Sequence, residues 1–444
     1  MSDRNRWEQQ LNSFDPAERR EALESLAALS LPAPPEGRNV NLHYHSFFSY
    51  NAEGWSPSRI AREAHRAGLY AAGLCDFDVL DGLEEFLLAG ERLGLRVTAN
   101  LETRVFVHDY ADQEITSPGE PGVTYFMGAG FAREPASGSP QAAGLAAFRD
   151  AARARNLDLV ARINAHLPEV ALDYERDVLP LTPRGVATER HIIRAYLDRS
   201  QAAFPSLDGA DAFWSRVLGK GAGEVRATWG TPALEEAARS RLVKRGGLGY
   251  AQPSAETFPP VEDFTRWVAS CRAVPMITWL DGTSAGEKDG RALLECLCAK
   301  GAQALNIIPE RNWNFTDPDV RALKVSRLRD IVAIADDIGL PISIGTEMNR
   351  AGLPFVDDLD GPVLREFRES FLRGARILVG HSLILRYAGV SYADYDAGTR
   401  EKNAFFEPVG ALPPLTRPVA ETLAEMGEAR ALAAIRDAVG RGWW

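Results

Sequence analysis

His43 and His45 stand one residue apart in NLHYHSFFSYNAEGWSP, residues 41–57. The chain has only 7 histidines, so two within three positions invite a chemical reading. Side chains in a strand alternate between faces, so residues i and i+2 project together. Two neutral imidazoles on one face make a natural pair of metal ligands. The competing reading is a half-exposed strand that contains H-x-H by chance. Carboxylates at other strand ends would complete a site: Asp76 in GLCDFDVLDG, Glu102 in ANLETRV and Glu347 in GTEMNR. A helix start, VATERHIIRAYL, adds His191. Such a mixed set suits a divalent ion such as Zn, Mn or Fe.

An ion held this way polarises a phosphoryl or carbonyl oxygen and lowers the pKa of bound water to about 7. Negative charge on a substrate then needs its own partner, and the arginine fork matches phosphate and carboxylate. Candidates are Arg184 and Arg190 near His191, Arg245 in KRGGLGY, Arg311 in PERNWN, and Arg350 beside Asn349. A solvated surface arginine is the plain reading of each. Asp173, with Glu175 and Asp177 in ALDYERDVLP, is a candidate general base or a surface charge. Glu102, Asp76, Asp173 and Arg184 are thus the expected catalytic groups. KRGGLGYAQP lacks the lysine and helix of a phosphate-binding loop and reads as a tight turn. Asp281 and Glu287 follow a strand end, where capping is their plain role. His381 in RILVGHSLIL follows a strand-like run.

The elements that must position these groups follow from the pattern. The chain has 444 residues, 45% hydrophobic and 25% charged, as in a globular protein. A net charge of -11 and a pI near 5.3 offer no global basic field for nucleic acid or an anionic membrane. No apolar run approaches the roughly 20 residues of a membrane span. The start of the chain lacks the apolar core of a signal peptide. Four cysteines are too few for a disulfide framework in a chain this long, so the expected compartment is the cytoplasm. The expected partner is a small, anionic substrate.

Residues 1–37 read as helical segments and a stiff linker, LPAPPEG. From 38 to 395, short apolar runs alternate with amphipathic stretches: NVNLHYH, LYAAGLC, an interrupted LRVTANLETRVFV, VPMITWL, AQALNIIP and LPISIG, with helical patterns between. That order predicts an α/β fold, a TIM-like barrel with helices outside and chemistry at the C-terminal strand ends. The stretch 130–260 reads as irregular insertions over the mouth, and 396–444 as a helical extension.

NLHYHS resembles the opening H-x-H motif of the PHP (polymerase and histidinol phosphatase) family of metal-dependent phosphoesterases. GLCDFDVLDGLEEF is similar to its second motif, usually T-D-H-D followed by D-G-L, and GLRVTANLETRVF to its third, Gly-x-Glu, with Asn100 in place of glycine. VATERHIIRAYL is similar to its T-R-P-H helix start, and GLPISIGTEMNRAG to its final D-x-H. The likeness is strongest over 38–107. It implies a distorted (β/α)7 barrel. On the family pattern, one ion falls to His43, His45, Glu102 and Glu347. A second keeps Glu102 and His191, with Tyr125 and Trp279 where histidines are usual. The three ligands of a third read Tyr50, Phe77 and Asn349. The resemblance therefore implies one or two ions and hydrolysis of a small phosphorylated molecule. The missing ligands keep open a mononuclear-metal hydrolase, lyase or isomerase of a sugar-like substrate, and a non-catalytic metal-containing binding protein.

Overall fold

The computed structural model describes residues 3–29, 35–204 and 206–444. Residues 31–34 of the expected linker lie outside the described residues.

Seven strands form one sheet in sequence order: β1 (Val40–Tyr44), β2 (Ala71–Phe77), β3 (Arg96–Phe106), β4 (Val123–Ala129), β5 (Val274–Trp279), β6 (Ala304–Ile307) and β7 (Ile342–Ile344). β7 returns to β1 through one bridge, Tyr44 to Glu347. There the His45 N–H donates to the Glu347 carbonyl at 2.9 Å and the Glu347 N–H to the His43 carbonyl at 2.9 Å. The sheet is therefore a nearly closed barrel, and its closure lies at the histidine pair.

One expectation is corrected. The barrel is mixed, not strictly (β/α)7, because β4 runs antiparallel to both β3 and β5. A parallel return needs a crossover, normally a helix. Between β3 and β4 lie only turns and the short 3₁₀ segment His108–Tyr110, so the chain doubles back. β3 also runs uninterrupted for 11 residues. Its polar middle is satisfied inside the barrel: the Asn100 amide donates to the Leu42 carbonyl at 2.8 Å and accepts the Gly130 N–H at 3.0 Å.

The helix Arg368–Ala388 crosses the opposite end of the barrel. Gly374 lies against the Ile342 backbone, Ser382 Oγ meets Thr98 Oγ1 at 2.8 Å, and His381 packs on Gly130. RILVG is thus helical, not a strand. Its residues 377–380 are all buried, while Glu369, Arg373 and Arg376 keep the helix's wetter side.

The stretch 130–260 is not irregular. It holds the helices Pro140–His166, Glu189–Ala203, Leu207–Leu218, Ala222–Thr228 and Pro232–Leu242. They enclose their own core, which includes Ile163, Tyr196, Trp214 and Leu242. The glycine-rich pieces are their turns; Gly219, at φ 66°, ends one helix in the left-handed conformation. The C-terminal helices share the barrel's main core through Phe406, Leu423 and Ile435.

Candidate metal centre

β1 carries His43 inward and His45 follows directly on its end; each is fully buried. Their rings lie 5.1 Å apart. Glu102, in the middle of β3 and level with Phe77 at the end of β2, meets both: its Oε2 is 3.4 Å from His43 Nε2 and 3.4 Å from His45 Nε2. One ligand atom from each of the three residues lies within 4.8 Å of the others. His43 Nε2, His45 Nε2 and Glu102 Oε2 are all buried without a hydrogen-bond partner. Buried polar atoms are rarely left so. Three of them converging on one point have the chemistry of a ligand set and fit a divalent ion.

The outer nitrogens are held from behind, as metal-binding histidines require. His45 Nδ1 lies 3.2 Å from Ser49 Oγ, which donates to Asp76 Oδ1 at 2.7 Å. Asp76 also accepts the Ser46 N–H and hydroxyl, each at 2.7 Å. Asp76 is therefore outside the converging set and anchors the loop that orients His45. Burial pushes its carboxyl up, against the donors from Ser49 and Ser46. His43 Nδ1 lies 3.2 Å from the Asn306 side-chain amide. Phe77 stacks on the His45 ring at 4.7 Å and closes that flank.

The electrostatics follow from this burial. Burial alone would raise Glu102, but the two imidazoles hold it well below the usual carboxylate range. Burial opposes charge on His43, yet Glu102 raises it overall. The pocket favours a carboxylate beside a cation.

Glu347, expected as a ligand, is not in the converging set. It pairs with Arg311 at 2.7 Å. Burial raises its carboxyl and Arg311 brings it down. Glu347 and Met348 both have positive φ, 64° and 54°. That strain turns the chain at the barrel seam and aims Glu347 at Arg311. His191 also stands apart. Its Nδ1 accepts the Thr188 N–H at 3.1 Å, capping its own helix, and its ring meets Tyr50 edge-on at 5.2 Å. Burial lowers its pKa to about 4, so it is neutral.

The other expected residues scatter. Asp173 is exposed and caps the short turn Tyr174–Val178; Glu175 pairs with Arg153 and Asp177 with Arg176. Arg184 is exposed. Arg245 is exposed and lies 3.6 Å from Glu114. Asn349 is half-buried beside exposed Arg350. Arg190 pairs with Glu236 at 2.8 Å and lies over the Tyr50 ring. Arg190, Arg350, Tyr50 and Trp229 line a polar cleft of about 270 Å³ between the barrel rim and the helical insertion. Glu287 accepts backbone N–H groups from Leu280 and Gly282 and ties its loop, and the helix cap expected of it falls to Asp289.

Sequence reasoning missed a second layer around the mouth. Arg104 follows Glu102 by two residues on β3 and pairs with Glu120 at 3.1 Å. Arg239 and Lys244, both from the insertion, pair with Glu189. Strand alternation would have found Arg104. Nothing local in the sequence places Arg239 or Lys244 over the barrel.

No protein-family model matches the chain, and no curated protein is significantly similar to it. Among solved structures it is similar to an amidohydrolase from Chromobacterium violaceum, with bound SO4 and no metal. That match has 18% identity and a TM-score of 0.48, covering 75% of this chain and 96% of the other. It is also similar to a candidate metal-dependent phosphoesterase from Bifidobacterium adolescentis, at 16% identity and a TM-score of 0.46, over 77% of this chain and 98% of that one. Similarity at this level does not fix an activity.

Proposed function

We propose that the chain is a metal-dependent hydrolase, a phosphoesterase acting on a small phosphorylated molecule. The observation that carries this reading is the convergence of His43 Nε2, His45 Nε2 and Glu102 Oε2, buried and unpartnered. These three residues would hold one divalent ion, Zn, Mn or Fe. The ion supplies Lewis acidity toward a phosphoryl oxygen and an acidified water. The protein's own groups do the rest. Asn306 and the Asp76–Ser49 pair fix the two imidazoles. Phe77 keeps water from one flank of His45. Arg311, partly exposed at the mouth, offers the donors that Glu347 leaves unused to the substrate's negative charge.

A second reading, a mononuclear hydrolase of a non-phosphate bond, is favoured by one observation. Among the described residues only one ligand group gathers, while phosphate esters commonly employ two ions. One experiment weighs both. Protein purified without chelator is assayed for metal content, then screened against phosphomonoesters, carboxylic esters and lactones. About one ion per chain with phosphomonoester turnover supports the first reading. One ion with turnover confined to carboxylic esters or lactones supports the second. No retained ion after soaking with Zn, Mn and Fe defeats both.

A further inference from the structure

Tyr125 lies on β4 directly opposite Arg104, and Met127 lies opposite Glu102. Residues two apart share a face, so Tyr125 sits on the Glu102 face, about 6–7 Å further toward the mouth. Its ring is 6.0 Å from Phe77, which stacks on His45. Among the described residues its hydroxyl makes no hydrogen bond; its backbone N–H is the group that bonds, to Thr116 Oγ1 at 2.8 Å.

Cations and carboxylates both bear on that hydroxyl, and Arg104 is its cross-strand partner. Arg104 and Arg239 both act on it electrostatically, as does Arg311. Glu189 and Glu102 face it too. The three guanidinium groups come from β3, the insertion and the loop after β6, and each is pinned by a carboxylate: Glu120, Glu189 and Glu347. They are thus fixed before any substrate arrives, and each fork has donors to spare. Burial pushes the phenol up, so it stays protonated at neutral pH.

We propose that Tyr125 is a catalytic residue of this centre, touching the ester oxygen of a phosphate monoester and protonating it as it leaves. The proposal rests on the phosphoesterase reading above. The water oxygen bonds to phosphorus, and the ester P–O bond breaks with its electron pair on the leaving oxygen. The Tyr125 proton moves to that oxygen and gives an alcohol. The proton released by the attacking water restores the phenol through solvent. Arg104, Arg239 and Arg311 stabilise the transient phenolate and the phosphoryl oxygens.

The test is Tyr125→Phe, with metal content and thermal midpoint measured first to show that centre and fold stand. Phosphate monoesters of graded leaving group are then compared. General acid catalysis is worth about 10²–10⁴-fold. Turnover should fall by about that factor for alkyl esters and only a few-fold for 4-nitrophenyl phosphate, whose leaving group needs no proton. Independently of turnover, inorganic phosphate is titrated calorimetrically into chelator-treated protein. Loss of one hydrogen bond to a charged oxygen should weaken it about tenfold. An equal fall on every ester, or unchanged turnover together with unchanged phosphate binding, overturns the role of Tyr125 and leaves the hydrolase reading intact. A wild-type protein that carries its ion and hydrolyses no phosphate ester removes the phosphoesterase reading and this step with it.

Discussion

At the scale of the residue, ligand identity is decided by which polar atoms lack partners. Glu102 and Glu347 are both buried acids, yet only Glu102 has an unpaired oxygen beside both imidazoles. Glu102→Gln should therefore abolish tight metal binding, and Glu347→Gln should leave affinity within about threefold; competition with a chromophoric chelator reads both. Equal losses would place Glu347 among the ligands. His43→Ala with His45→Ala should leave the fold and remove the metal, and full occupancy in that double variant would defeat the assignment. Asn306 adds a finer prediction. As placed, its Nδ2 faces His43 Nδ1 and its Oδ1 has no partner. Amide oxygen and nitrogen exchange on a half-turn. With the amide turned, Oδ1 accepts from His43 Nδ1–H and leaves Nε2 free for an ion; the in-register Thr278 and Ser343 hydroxyls are likewise unpartnered. Asn306→Ala should weaken metal affinity about 10–100-fold, the usual cost of losing a ligand's outer partner. Unchanged affinity would show that His43 needs no such support.

At the scale of the element, the pattern that marked strands and helices worked where one face is wet and failed over a short run that is wholly buried. The H-x-H of β1 was legible because alternation puts His43 and His45 together whatever surrounds them. The helix Arg368–Ala388 was misread at RILVG because residues 377–380 are four consecutive buried positions, a short run that hides the helical period of Glu369, Arg373 and Arg376 just before it. The antiparallel return of β4 was hidden because strand direction is set by the connection and not by the strand's own residues. Close backbone packing was equally hidden. A Cβ on Gly380 would lie 2.1 Å from the Phe406 carbonyl of the neighbouring helix, Thr399–Ala411. Gly380→Ala should destabilise by about 1–3 kcal/mol, as overpacking does. Gly440, in the helix Glu428–Arg441, meets nothing within 4 Å. Gly440→Ala should instead stabilise by roughly 0.5–1 kcal/mol through helix propensity. A urea midpoint that does not fall for Gly380→Ala would refute the packing at Gly380.

At the scale of the whole molecule, the barrel's main core and the core of the helical insertion each adjoin a buried neutral histidine. His191 starts the insertion's helix Glu189–Ala203; His381 lies in the helix across the far end of the barrel and accepts the Tyr392 N–H at 3.1 Å. His191 was placed at its helix start but read as a ligand, and His381 was placed after a strand, because a capping or core histidine and a ligand histidine look alike until the partners are known. Burial lowers both to about 4 from 6.5. A lowered histidine contributes its full stability above the unfolded value and loses it as the pH falls from about 6.5 toward about 4. Between pH 7 and 5 the unfolded chain takes up protons that the fold refuses, at about 2 kcal/mol for each histidine by linkage. Together that is a large share of the roughly 5–15 kcal/mol that holds a typical domain. His191→Gln keeps a capping side chain at the same helix position. His381→Gln keeps an acceptor for Tyr392. Each should stand close to wild type at pH 7 and be about 2 kcal/mol more stable than wild type at pH 5, read from urea melts. A double variant that loses as much as wild type would mean that carboxylates, not these histidines, govern the acid sensitivity of both cores.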